Sequence, residues 1–142
     1  MNTLKIALFA ACLTLITGCA TTHDARILGA DNQVELRSMQ TRSFDTSDKT
    51  IVVRNVISTL QDLSFVIDKA DTDLGTVSAT RLYNGNKVRM TVTARPSSSS
   101  SKSVIVRANA QYNLKPIENP KIYQDFFSSL SKSLFLSANA VE

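Results

Sequence analysis

What this chain lacks narrows its chemistry. It has no tryptophan, one histidine and two cysteines in 142 residues. That inventory cannot build a Cys/His zinc site and argues against a Ser-His-Asp triad. Four glycines leave no phosphate-cradling glycine loop. Aromatic residues make up only 6%, charged residues 20% and apolar residues 43%, the composition of one globular domain and not of a disordered or fibrous chain. Sixteen Lys and Arg against twelve Asp and Glu leave a mild +4. The cations are scattered along the sequence, so neither a nucleic-acid stripe nor a polybasic membrane patch is marked.

What is there begins with an address. Lys5 supplies a positive start, and an apolar run follows over 6–16, interrupted only by Thr14. The run falls short of the roughly 20 residues a permanent membrane span needs and suits the core of a signal peptide. It ends in Ile16-Thr17-Gly18-Cys19. These residues resemble the lipobox of bacterial lipoproteins: a branched apolar residue, a small residue, Gly or Ala, then Cys. The resemblance implies that 1–18 is a lipoprotein signal peptide, that the Cys19 sulfur is diacylglycerylated, and that cleavage before Cys19 frees an amino group for a further acyl chain. The alternative is an ordinary secretory signal with an incidental cysteine. Each buried methylene contributes about 0.8 kcal/mol, so several long chains on one residue make a lasting anchor. Residue 20 is Ala and not Asp. For a Gram-negative source the family's sorting rule then implies the periplasmic leaflet of the outer membrane. Cys12 leaves with the signal and Cys19 carries lipid, so no thiol remains for a disulfide and stability rests on core packing.

The mature chain reads as a lipidated N-terminus and tether, 19–33, followed by a single domain over 34–142. The stretch 20–32 spans at most roughly 45 Å. It holds His23, which has no partner cysteine or second histidine to make it a ligand. Residues 34–44 alternate and read as extended. Asp45, Thr46, Ser47 and Asp48 are N-cap residues. Over 48–63, Val52, Val53, Val56, Ile57, Leu60 and Leu63 recur at helical spacing, with Arg54, Asn55, Ser58, Thr59, Gln61 and Asp62 facing away. A strand over 65–69, a turn with Gly75 at positive φ, and a strand over 76–82 follow. Asn84-Gly85 marks a hairpin into a strand over 87–95. A serine loop leads to a strand over 104–114, and Asn119-Pro120 opens a second helix to about 136 with Ile122, Tyr123, Phe126, Phe127, Leu130 and Leu134 as its stripe.

The expected fold is α+β, in the order β-α-β-β-β-β-α, with an antiparallel sheet and two helices packed on one face. A turn at Asn84-Gly85 pairs Val77 with Val92 and Ala79 with Met90. A serine loop centred near Ser99 pairs Val92 with Val106 and Met90 with Ala108. Both hairpins then bury the same face. The arrangement resembles the TATA-binding-protein-like or helix-grip modules, such as those of the NlpB-type lipoprotein of the β-barrel assembly machinery. The stretches LRSMQTRSFDTSD, LQDLSFVID and DTDLGTVSATR resemble a family of small, uncharacterised proteobacterial lipoproteins. Fold likeness does not carry function across.

The opposite sheet face would carry Ser78, Thr80, Arg89, Thr91, Thr93, Arg95, Arg107, Asn109 and Gln111, with Ile105 as its apolar exception. Arg89, Thr91, Thr93, Arg107 and Asn109 are the candidate ligand or partner face. The competing reading is a solvated face rich in threonine because threonine suits strands. Asp68, Asp71 and Asp73 with Gly75 lack the spacing of a calcium loop and read as a turn. Asp45 and Asp48 read as helix caps. No metal site, cofactor or catalytic residue is marked, and the chain is read as no enzyme. Two functions follow. One is a membrane-anchored, non-catalytic accessory or scaffold subunit of a β-barrel assembly, secretion or efflux type of envelope complex, with a protein partner. The other is a binding module for an anionic envelope ligand such as peptidoglycan, lipopolysaccharide or lipid.

Overall fold

The computed structural model describes residues 30–139. Its elements in chain order are α1 (Ala30–Met39), β1 (Thr41–Phe44), α2 (Lys49–Asp62), β2 (Val66–Asp71), β3 (Thr76–Tyr83), β4 (Asn86–Pro96), β5 (Val104–Tyr112), β6 (Lys115–Pro116) and α3 (Pro120–Asn139). The six-stranded sheet runs β1-β5-β4-β3-β2, with β6 also pairing β5. Every pairing is antiparallel. This is the α+β class, with three helices where two were expected. β1 and β2 occupy opposite edges, so the connection through α2 crosses the sheet, and β2 to β5 return as a meander.

Side-chain alternation explains the layering. Val77, Ala79, Val88, Met90, Val92, Ala94, Val104, Val106, Ala108 and Ala110 face one way and are all buried. Val52, Val53, Val56 and Leu60 of α2 meet them, as do Tyr123, Phe126, Phe127 and Leu130 of α3. Each such large apolar side chain contributes roughly 1.5–3 kcal/mol on leaving water. Phe126 and Phe127 meet edge to face, with centroids 5.1 Å apart. Two guanidinium groups close the ends of this layer: Arg42 lies over the Phe127 ring at 5.0 Å and Arg81 over the Phe65 ring at 4.8 Å.

Three expectations change. The extended reading of 34–44 is wrong for most of its length: α1 ends at Met39 and only Thr41–Phe44 is strand. Among residues 33–39, Leu36 and Met39, three apart, are the partly buried positions, whereas Val34 is exposed. The alternation therefore did not track burial. Because α1 begins at Ala30, the last residues assigned to the tether over 19–33 are helical, and ten residues (20–29) lie between Cys19 and the helix. Second, the register across the serine loop is two residues further along. Val92 pairs with Ala108 and Met90 with Ala110, since the loop closes on Pro96 and Val104. The shift is even, so the buried face is unchanged. The register at Asn84-Gly85 is as expected, with Val77 opposite Val92 and Ala79 opposite Met90.

Third, Asn55 and Thr59 do not face solvent. α3 lies along α2 as well as on the sheet, so α2 has two covered sides. Asn55 donates from Nδ2 to the Ile51 carbonyl at 2.9 Å and accepts from Ser133 Oγ at 2.7 Å. It is a satisfied polar bridge between helices. At the far end of β5, Tyr112 is opposite the buried Val88. Tyr112 is exposed and Leu114 lies beyond the strand.

Candidate functional site

Among the described residues the sheet has helices on one face only, and the other face carries the candidate residues. The ladder sets their positions. Thr91 is directly opposite Asn109, and Thr93 is opposite Arg107. Arg89 is opposite Gln111 on one side and Thr80 on the other. Arg95 is opposite Ile105, one step along from Arg107. The five sequence-chosen residues, Arg89, Thr91, Thr93, Arg107 and Asn109, thus form one continuous surface on the two central strands. Arg89, Arg107 and Asn109 are exposed, while Thr91 and Thr93 are half-buried between them.

The surface is graded in charge. Arg89, Arg95 and Arg107 stand over β4 and β5. A hydroxyl band crosses β3 and β4, where Ser78 Oγ and Thr91 Oγ1 are 3.5 Å apart. The acidic end lies at the β2 edge, where the register slips at Asp68 between Ile67 and Lys69. Asp68 there accepts from Thr80 Oγ1 at 2.6 Å. A bulge with alternating charge also blunts this free edge against strand pairing. Among the described residues the one ion pair joins Lys121 and Asp125 at 2.9 Å. The guanidinium groups of the open face therefore have no carboxylate partner among those residues.

The carboxylates of Asp48 and Asp71 are committed elsewhere. Asp48 caps α2, accepting from the Ile51 N–H at 3.0 Å. Asp71 closes its turn by accepting from the Leu74 N–H at 2.8 Å. The Asp73 carbonyl takes the Lys49 ammonium at 2.6 Å. Asp45 is no cap. It borders a groove of about 440 Å³ with Phe44, Ile51, Leu134 and Phe135. Among the described residues, no three His, Cys, Asp or Glu side chains converge as a metal site, and no helix is long and apolar enough to cross a membrane. Ile16, Thr17, Gly18, Cys19 and His23 lie outside the described residues.

Sequence reasoning overlooked a structural node. The Tyr123 hydroxyl donates to the Ile117 carbonyl at 2.6 Å and accepts from the Ala110 N–H at 3.3 Å and Gln40 Nε2 at 3.2 Å. Its apolar neighbours marked it as core, but nothing local pointed to the hydroxyl's three partners. Neither a protein-family model nor a curated protein matches this chain.

Proposed function

We propose that this chain is a lipoprotein anchored through Cys19 to the periplasmic leaflet of the outer membrane, acting there as a non-catalytic accessory or scaffold subunit of an envelope complex. A β-barrel assembly, secretion or efflux system is the class of partner. The single observation that carries the address is Ile16-Thr17-Gly18-Cys19 placed directly after a charged start and an eleven-residue apolar run. The interaction role is supported by a sheet with one face left uncovered by the described residues and by aspartates committed to cap, turn and hydroxyl contacts.

The test is a photo-crosslinker placed at Thr91 or Asn109 in cells, with one at Gln124 on the exposed side of α3 as the comparison. The expected result is one discrete envelope protein joined from the sheet positions and not from Gln124. Recovery of monomer alone from every position would contradict the proposal.

A second reading, a site for an anionic glycan or lipid headgroup, is favoured by the guanidinium groups of Arg89 and Arg107, which have no carboxylate partner among the described residues. Replacing both with Ala would then weaken binding to an anionic glycan and flatten its dependence on salt. An unchanged isotherm would reject it.

A further inference from the structure

Cations that are scattered in the sequence are gathered by the fold. The β3–β4 hairpin and the β5–β6 turn lie side by side at one end of the sheet. Asn113 donates its N–H to the Lys87 carbonyl at 2.7 Å and accepts the Lys87 N–H on Oδ1 at 3.1 Å. Its Nδ2 donates to Asn86 Oδ1 at 3.2 Å, and Asn86 Nδ2 donates to the Asn84 carbonyl at 3.1 Å. Three asparagines thereby lock two turns into one tip.

Residues 81–89 and 110–116 contain Arg81, Lys87, Arg89 and Lys115 and no acid; Arg81 is turned in onto the Phe65 ring and the Leu63 carbonyl, which leaves Lys87, Arg89 and Lys115 exposed. The same tip exposes Leu114 by 90%, Leu82 by 72% and Tyr83 by 57%, with Tyr112 beside them. A locked, protruding tip of leucine, tyrosine and cations matches the chemistry of a bilayer interface. Leucine enters the acyl boundary, tyrosine sits at headgroup depth, and lysine and arginine meet anionic phosphate. Charge complementarity therefore selects an anionic surface.

We propose that this end of the sheet is a membrane-docking tip for a bilayer containing anionic phospholipid, a second contact that orients the domain beside its anchor. The inference rests on the lipoprotein reading for the nearness of a bilayer. Residues 20–29 reach at most roughly 35 Å when extended, about the length of β4, so an anchored chain can bring the tip to the surface.

The chain has no tryptophan, which makes Leu114→Trp a sole fluorescent reporter. Leu74→Trp, exposed in the turn at the other end of β3, is its control. Each full-length protein is reconstituted into vesicles of phosphatidylethanolamine and phosphatidylglycerol with brominated acyl chains. The L114W reporter is expected to shift to the blue and be quenched, and the L74W reporter to stay as in water. Adding Lys87→Gln and Lys115→Gln, which spare the open-face arginines, is expected to lower the ratio of docked to undocked tip roughly 25-fold. Neutral phosphatidylcholine vesicles are expected to weaken docking likewise. An L114W signal that stays water-like, equal quenching of both reporters, or shielding that requires an added envelope protein overturns the proposal. Intact mass of the same sample reads Cys19 separately: a quenched L114W reporter with a bare Cys19 upholds the tip and removes the anchor, and a lipidated chain with an unquenched L114W reporter does the reverse.

Discussion

One hydroxyl closes an edge that the strands leave open. β5 is paired by β1 at one end and by β6 at the other, and between them the Ala108 N–H goes to the Gln40 carbonyl and the Ala110 N–H to Tyr123. Tyr123→Phe keeps the buried ring and strands these partners, so unfolding in urea should show a loss of about 1–3 kcal/mol. An unchanged midpoint and slope would contradict the node. Two glycines make a sharper pair. Gly75 sits at φ +68° with its carbonyl accepting from the Ala94 N–H at 2.7 Å, and an added Cβ would run into the Ala94 carbonyl oxygen. Gly85 has a similar φ of +75° but open space around it. Gly85→Ala should therefore cost about 1–2 kcal/mol, the strain of the left-handed backbone alone, and Gly75→Ala about 3–4 kcal/mol, compared by thermal or urea unfolding. Equal costs would mean that backbone strain, and not the contact with β4, sets the effect. The positive φ of Gly75 was legible from its aspartate-rich turn. The approach of Ala94 was not, because it comes from another strand.

Elements were legible where burial wrote a period into the sequence. α2 and α3 carry apolar stripes wide enough to read, and the β3–β4 register follows from Asn84-Gly85 and the alternation around it. α1 failed because its pattern is short: among residues 33–39 Val34 is exposed and Leu36 and Met39 are the partly buried positions, a spacing compatible with either a helix or a strand. The serine loop failed by two residues because serine hydroxyls organise it internally. Ser97 Oγ accepts from the Ser99 N–H and Ser100 Oγ from the Lys102 N–H, each at 3.2 Å, and no local pattern sets the length of such a loop. The outward assignment of Asn55 failed because a single helix cannot announce that a second will lie along its flank. The start of α2 was legible as a cluster of cap residues, of which Asp48 is the cap and Asp45 is not: Asp48→Ala removes the cap and should lower stability by about 1 kcal/mol, with helical circular dichroism melting earlier. No change in the melt would mean that Thr46, whose Oγ1 accepts from the Asp48 N–H at 3.3 Å, suffices to hold the helix entry.

At the scale of the whole molecule, the helices cover one face of the sheet, which leaves the other face and the sheet ends to meet surroundings. The candidate face was readable because alternation alone sorts side chains to two sides. Its five chosen residues fall together because the register error was even. The cationic tip was not readable, since its members lie in two turns joined only by asparagine side chains. The open face and the tip matter only if the chain is held beside a membrane, so the anchor is the central claim. Its most direct test is the intact mass and N-terminal sequence of the protein recovered from a Gram-negative envelope. The account predicts a chain beginning at Cys19 and heavier than the bare polypeptide by a diacylglyceryl group and an acyl chain. A chain that begins elsewhere, or one whose Cys19 carries a free thiol, would contradict it.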